Sequence, residues 1–248
     1  MQRSKIIRLL PFAGVLNFRD IGGYPIAAGG LTRWNAVYRS DSLHYLTAAD
    51  LSAFDALGVK AVYDLRRPGE IARFPGPRGH VHLEVASGDL ARWPAASLRT
   101  RRDGEEWLAA DYRSMLATAA PAFGRLFSLL AADGALPVVV HCLAGKDRTG
   151  MAVALLLTAL GVDRATVLDD YELTSDCHAS RVPEVVEVLA KLGIARPAGE
   201  GLMSTPRWAM EQALRELDEA HGGIGRYLLG PGGLTPQTLD ALRASLTS

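Results

Sequence analysis

Little in this 248-residue sequence marks it for a specialised environment. It has only two cysteines, Cys142 and Cys177, too few for a disulfide framework, and zinc-ligand spacings are absent, so neither a metal nor another cofactor is expected. Net charge is absent too. The 27 basic side chains balance 27 acidic ones, which leaves no global field for holding nucleic acid or an anionic membrane. The longest apolar run, Met151 to Val162, is too short to span a bilayer and reads as a buried helix. Arg3, Lys5 and Arg8 precede an apolar stretch that Pro11 and Asn17 interrupt, with no small-residue cleavage site after it, so no signal peptide is expected. These absences point to a reducing, cytoplasmic setting, with signal-less secretion left open, and they confine any anion recognition to a local site.

What the chain does have is enough apolar side chain, 48% of residues against 22% charged, to bury a core. The pattern predicts a single α/β domain over residues 1–248: a central, mostly parallel sheet flanked by helices, with a helical insertion and a helical C-terminal region. Asn17 to Gly23, Ala36 to Arg39 and Val59 to Leu65 read as extended segments. Val81, Leu83 and Val85, alternating with His82 and Glu84, suggest a strand near a sheet edge. Thr47 and Asp50 have capping-box spacing for a helix that Gly58 closes. Pro137 to His141 is an apolar strand suited to the centre of a parallel sheet. Pro94, Arg99, Arg101, Arg102 and Gly104 break up residues 87–118, which read as an insertion or lid that becomes helical from Glu105. Pro121 to Leu130 is a further helix. Three or four more follow downstream, the clearest opening at Thr205-Pro206 and Thr235-Pro236, each an N-cap residue followed by proline.

The chemistry concentrates in His141-Cys142-Leu143-Ala144-Gly145-Lys146-Asp147-Arg148-Thr149-Gly150, between the apolar strand and a helix expected from Thr149 onward. A strand that delivers a glycine-containing loop to a helix N-terminus makes an anion site, because loop and first-turn amides point inward and the helix dipole favours negative charge. Cys142 opens that loop. The same field and Arg148 favour its thiolate, the nucleophile that phosphoryl transfer needs. Arg148, six residues on, lets the loop curl around a tetrahedral oxyanion while the planar guanidinium donates two parallel hydrogen bonds, a fork that lysine cannot supply.

This stretch resembles the Cys-x5-Arg protein tyrosine phosphatase superfamily, most closely bacterial tyrosine and phosphoinositide phosphatases of the mycobacterial triple-specificity type. The resemblance is dense over residues 141–150 and looser in Asn17 to Gly23, Tyr38 to Ser40, Asp64 to Arg66 and Asp169 to Tyr171. It implies a phosphatase-like fold and a metal-free, two-step mechanism. Cys142 forms a cysteinyl-phosphate that water hydrolyses, while Arg148 and the amides of Leu143, Ala144, Gly145 and Lys146 hold the equatorial oxygens. Thr149 would stabilise the leaving thiolate and His141 would brace the loop, with Asp64 and Arg66 in support.

The general acid is the departure. Well-known tyrosine phosphatases take it from a Trp-Pro-Asp loop, and here Trp93-Pro94-Ala95 has alanine in place of the carboxylate. Asp147 is the first candidate, because a bound dianion beside it favours its protonated form. Asp64 is the second and Asp89 the third. Lys146 adds a cation of the kind phosphoinositide phosphatases use, so the expected partners are phosphorylated proteins or phosphoinositides, although a solvated lysine is an equal reading. The Arg99, Arg101, Arg102 run reads as surface charge and Cys177 as packing. A silent phosphate-binding module and a sulfurtransferase are the alternative functions. The physiological substrate and the oligomeric state are not written in the sequence.

Overall fold

Val138, Val139 and Val140 follow one another without a polar residue, and β-branched side chains fit a pleated surface that is covered on both faces. The protein's structure, a computed structural model, describes residues 8–76, 79–87 and 94–248. In it these valines lie in the central strand of a five-stranded sheet. The strands are β1 (Arg19–Asp20), β2 (Val37–Ser40), β3 (Ala61–Asp64), β4 (Val81–His82) and β5 (Val138–His141), in spatial order β1-β2-β5-β3-β4. All neighbours are parallel except β1 and β2. Alternation decides the layers. Val138 and Val140 join the large core cluster with Val37 and Tyr63, whereas Val139 and Tyr38 face a smaller cluster with Val15, Phe18 and Leu43.

Helix α1 (Ala48–Ala56) opens with the expected Thr47–Asp50 capping box and adds Phe54 to the smaller cluster. It is followed by α2 (Pro68–Arg73), α3 (Arg101–Thr118), α4 (Ala120–Leu130) and α5 (Asp147–Leu160). The C-terminal region contains α6 (Arg164–His178), α7 (Val182–Lys191), α8 (Arg196–Met203), α9 (Arg207–His221), α10 (Ile224–Leu229) and α11 (Pro236–Leu246). Helix α5 is buried along almost its whole length, as its apolar run predicts, and Gly161 ends it in the left-handed conformation at φ 90°.

The register sets the site. Ser40 and Asp64 both pair with His141, so three parallel strands end level and their following loops gather at one edge. β4 lies at the opposite lateral edge of the sheet from β1, as its alternation suggested.

Four details differ from the sequence reading. The helix expected from Glu105 begins at Arg101, where Thr100 and Asp103 form a capping box, and it buries Trp107, Leu108, Tyr112 and Met115 in the main core. Much of the 87–118 segment is therefore an integral core helix. Gly104, read as a break, is a helix–helix contact: a Cβ there would lie 2.2 Å from the Ala198 carbonyl oxygen of α8. At the Thr205-Pro206 helix start, Pro206 occupies the N-cap of α9, and the Thr205 hydroxyl turns to the Glu172 carbonyl and the Ser175 hydroxyl. The C-terminal helices also number six rather than three or four, since short ones such as α8 and α10 carry too few turns to show a periodicity. Among the described residues no helix is long and apolar enough to cross a membrane.

Candidate active site

Residues 142–146 connect β5 to α5, and Asp147 and Arg148 form the first turn of the helix. Loops of this kind carry backbone carbonyls that must go somewhere. Here each has a partner outside the loop's hollow or in the helix. The Cys142 carbonyl meets His141 Nδ1 at 3.0 Å and the Leu143 carbonyl accepts from Ser42 N at 3.0 Å. The Ala144 carbonyl accepts from His178 Nε2 at 2.6 Å. Arg39 Nη2 donates to the Gly145 carbonyl at 2.8 Å and Asn17 Nδ2 at 3.0 Å, and the Lys146 carbonyl accepts Gly150 N within the helix. Since N–H and C=O of a trans peptide point in opposite directions, pinning the carbonyls outward turns the amides inward. Gly145 is required at its place: its φ is +64° and a Cβ would lie 2.3 Å from the Ser40 carbonyl oxygen. Lys146, at the N-cap of α5, contributes no side-chain hydrogen bond to the helix amides, which remain for an anion.

Behind the loop lies a buried ionic knot. Asp170 of α6 accepts from Arg19 Nε at 3.1 Å, Arg39 Nη1 at 2.5 Å and the Tyr24 hydroxyl at 2.9 Å. Burial would raise the Asp170 carboxyl, but the two guanidiniums outweigh it and hold the group well below the usual carboxylate range. Arg19 also donates to Asn17, so Asn17 and Arg39, which pin Gly145, are both set by this knot.

Cys142 is 2% exposed. Arg148 presents its fork to Glu70 of α2, with Nη1 to Oε2 at 2.5 Å and Nη2 to Oε1 at 2.8 Å. Burial alone would weaken the guanidinium's hold on its proton, but the Cys142 sulfur and then Glu70 more than reverse this, so it stays charged. Glu70 in turn is brought down to about 2, because Arg148 overcomes the cost of burial. The carboxylate also accepts Arg67 N at 2.8 Å as the capping residue of α2, so one side chain positions both the helix and the arginine. The remaining N–H groups of Arg148 are left for an oxyanion.

The carboxylates sort themselves by partner. Asp64 is fully buried and accepts from Arg66 N, Nε and Nη2, which hold it low against burial. Both its oxygens are engaged, so the second acid candidate is a brace: it fixes Arg66, which donates to Ser42 Oγ and the Phe74 carbonyl beside the loop. Asp89, the third candidate, and Trp93 lie outside the described residues, and Pro94 caps a 3-10 turn at Ala95–Ser97 that has no carboxylate. Asp147 stands in the loop's own helix turn and keeps a quarter of its side chain exposed. His141 is buried and pushed down to about 4, chiefly by that burial, so it is neutral at pH 7 with its proton on the nitrogen facing the Cys142 carbonyl. The Thr149 hydroxyl is buried without a hydrogen-bond partner among the described residues.

Lys146 goes elsewhere. Its ammonium is buried and donates to the Leu202 carbonyl and, at 3.0 Å, to the Ser204 carbonyl at the end of α8. It ties the loop to a helix end, and three oxygens, Asp147 Oδ1 included, already surround it. Arg101 and Arg102 pair with Glu105 and Glu106 on the surface of α3, and burial pushes the Cys177 thiol up.

A family model described as the tyrosine phosphatase family matches residues 10–248. The chain belongs to that family. A protein of Cupriavidus necator named as a tyrosine-protein phosphatase is 31% identical over 227 residues, covering 88% of this chain and 82% of that protein. The triple specificity protein phosphatase PtpB of Mycobacterium tuberculosis is 29% identical over 281 residues, 97% of this chain and 99% of that one. The catalytic core of the Saccharomyces cerevisiae phosphatase SIW14 superimposes with a TM-score of 0.34 at 12% identity over 79% of this chain and 96% of that one, so the fold rests on the strand order above.

Within this tyrosine phosphatase, the sequence reading found the loop and missed much of what shapes it. Glu70, Tyr112, Asn17, Arg39, Asp170 and His178 were not singled out as site residues. Asn17, Arg39 and Asp170 do fall inside the looser stretches of family resemblance, which was the signal available for them. Glu70 had the Arg67-x-x-Glu70 spacing of a helix start, which announces a cap and says nothing of Arg148.

Proposed function

We propose that the protein is a metal-independent phosphotyrosine hydrolase in which Cys142 is the nucleophile, Arg148 the phosphate clamp and Asp147 the general acid. The observation that carries this is the carbonyl accounting of the 142–146 loop, which turns its amides toward one hollow at the end of β5. In the first step the Cys142 thiolate attacks phosphorus, the bond to the phenolic oxygen breaks, and Asp147 gives that oxygen its proton. In the second, Asp147 takes a proton from water as the water oxygen bonds phosphorus and the thiolate leaves. Loop amides and Arg148 stabilise the charge on the equatorial oxygens in both steps. A thiolate nucleophile works only when reduced, which suits a cytoplasmic setting.

A wider range, with phosphoserine, phosphothreonine and phosphoinositides included, is the second reading, supported by the triple specificity in the name of the mycobacterial relative. Cys142→Ser is the test of the leading one. It should abolish turnover of a phosphotyrosine peptide yet keep inorganic phosphate binding by calorimetry, because amides and Arg148 remain while the hydroxyl stays protonated. Wild-type-like turnover would remove Cys142 from the chemistry.

A further inference from the structure

The two oxygens of the Asp147 carboxylate are not equivalent. Oδ1 accepts from the Tyr112 hydroxyl at 2.7 Å and lies 3.4 Å from the Lys146 ammonium. Tyr112 belongs to α3 and is completely buried, and its hydroxyl is 2.6 Å from that of Tyr171 in α6. A phenol has one proton to give. With the Tyr112 proton directed to Asp147, the short contact to Tyr171 is a hydrogen bond only if Tyr171 donates to Tyr112. The result is a directional chain, Tyr171 to Tyr112 to Asp147, that runs through the core and ends on one oxygen of one carboxylate.

Packing does not explain it. The two rings meet edge to face at 6.1 Å between centroids, a contact that phenylalanine makes equally well. Burying two hydroxyls costs free energy unless both are satisfied, and here satisfaction depends on Asp147. Burial also pushes both phenols well above their ordinary ionisation range, so each is an O–H group at neutral pH.

We propose that Tyr112, itself held by Tyr171, is a positioning residue for Asp147 that reserves Oδ1 as an acceptor, so that the transferred proton resides on Oδ2. When the phosphorus–oxygen bond breaks, the Oδ2 proton passes to the leaving oxygen. The carboxylate charge then appears beside a donor already aimed at Oδ1. When water attacks the cysteinyl-phosphate, its proton returns to Oδ2 and Tyr112 does not move. The donor thus stabilises the state that proton transfer creates, at no reorganisation cost. This rests on the reading of Asp147 as the general acid.

The test measures kcat/KM, which reports the first step, on a phenyl phosphate with a basic leaving group and on one whose leaving group is already acidic. Tyr112→Phe is expected to lose about tenfold on the first and under about twofold on the second, the size of one net hydrogen bond to a charged group. Tyr171→Phe should show the same dependence at about threefold, and it keeps the proposal testable if Tyr112→Phe fails to fold. Inorganic phosphate inhibition should be unchanged in both. Adding Tyr112→Phe to Asp147→Asn should cost nothing further, because Tyr112 acts only through the carboxylate. A uniform loss on both substrates, or additivity with Asp147→Asn, would overturn the proposal. If Asp147→Asn itself loses rate uniformly, the acid reading falls and takes this inference with it. If Asp147→Asn is leaving-group dependent while both phenylalanine variants are silent, this inference falls alone.

Discussion

Two arginine–carboxylate assemblies flank the 142–146 loop, and they do opposite work. The Arg19–Arg39–Asp170 knot is completely buried and its donors go to Asp170, Asn17, Thr174 and the Gly145 carbonyl, all but Arg39 Nε, which is buried without a partner among the described residues. The Arg148–Glu70 pair lies at the edge of the site, about a tenth exposed, and keeps donors in reserve. The first is scaffold: its charges hold a loop carbonyl and see no solvent. On the proposed function the second is a tool held ready, a guanidinium kept in orientation by a carboxylate until a phosphate arrives. Similar chemistry and similar distances serve rigidity in one case and binding in the other, and accessibility decides which.

Breaking the knot should have the larger effect. Asp170→Asn leaves two buried guanidiniums without their counter-charge, a situation that typically costs about 3–5 kcal/mol. Denaturant unfolding should show that loss, and turnover should fall with it because Arg39 and Asn17 lose the group that aims them at Gly145. Added phosphate should stabilise the variant by no more than it stabilises the wild type, since an anion bound at the loop cannot reach the fully buried knot. A larger phosphate shift in the variant than in the wild type would mean that the knot opens to solvent.

Glu70→Gln makes the contrast sharper. The amide cannot take both N–H groups of the fork, so kcat/KM on a phosphotyrosine peptide should fall about tenfold, the size of one charge-assisted hydrogen bond. Here inorganic phosphate should compensate: its stabilising shift in Tm should be larger in the variant than in the wild type, because it now supplies the missing negative charge. The wild-type pair also has a pH signature. The Glu70 carboxyl lies at about 2 against an ordinary 4.5, so the pair's contribution is complete above pH 4.5 and is lost as pH falls toward 2. The variant should lack that part of the acid slope. An equal phosphate shift in both proteins would show that Glu70 does not hold Arg148 for the ligand.

What was legible in the sequence is what is local. His141 to Gly150 is one unbroken strand–loop–helix, so its anion-binding character follows from neighbours in the chain. The valine run likewise announces a central strand. Glu70 and Tyr112 reach the site from 78 and 35 residues away, and only the fold brings them there. Two of the misread elements trace to contacts from far along the chain as well. Gly104 looks like a helix breaker because close approach to α8 cannot be seen in a linear pattern, and Thr205 looks like an N-cap because the pull of Glu172 and Ser175 is tertiary. Asp64 ends a strand at the active edge as expected, but its partner Arg66, two residues on, turns it from an acid into a brace.

Lys146 carries the smallest expected effect and tests whether the loop's second cation belongs with the tool or with the scaffold. From the sequence alone it could meet a second phosphate on an inositide. In the structure its side chain is 4% exposed, and the ammonium is spent on the Leu202 and Ser204 carbonyls, with Asp147 Oδ1 at 3.4 Å. Lys146→Met keeps the unbranched stem and removes the donors, leaving two carbonyls short of a partner at a cost of about 1–2 kcal/mol in denaturant unfolding. A scaffold lysine acts on the cradle, which every phosphoryl group shares. Turnover of a phosphotyrosine peptide and of a multiply phosphorylated inositide should therefore fall by the same factor, within about twofold. A lysine that turns to the substrate would behave differently, because only the inositide offers it a second phosphate. A selective loss on the inositide with stability unchanged would move Lys146 from the scaffold to the tool, and would require its ammonium to leave the end of α8 when substrate binds.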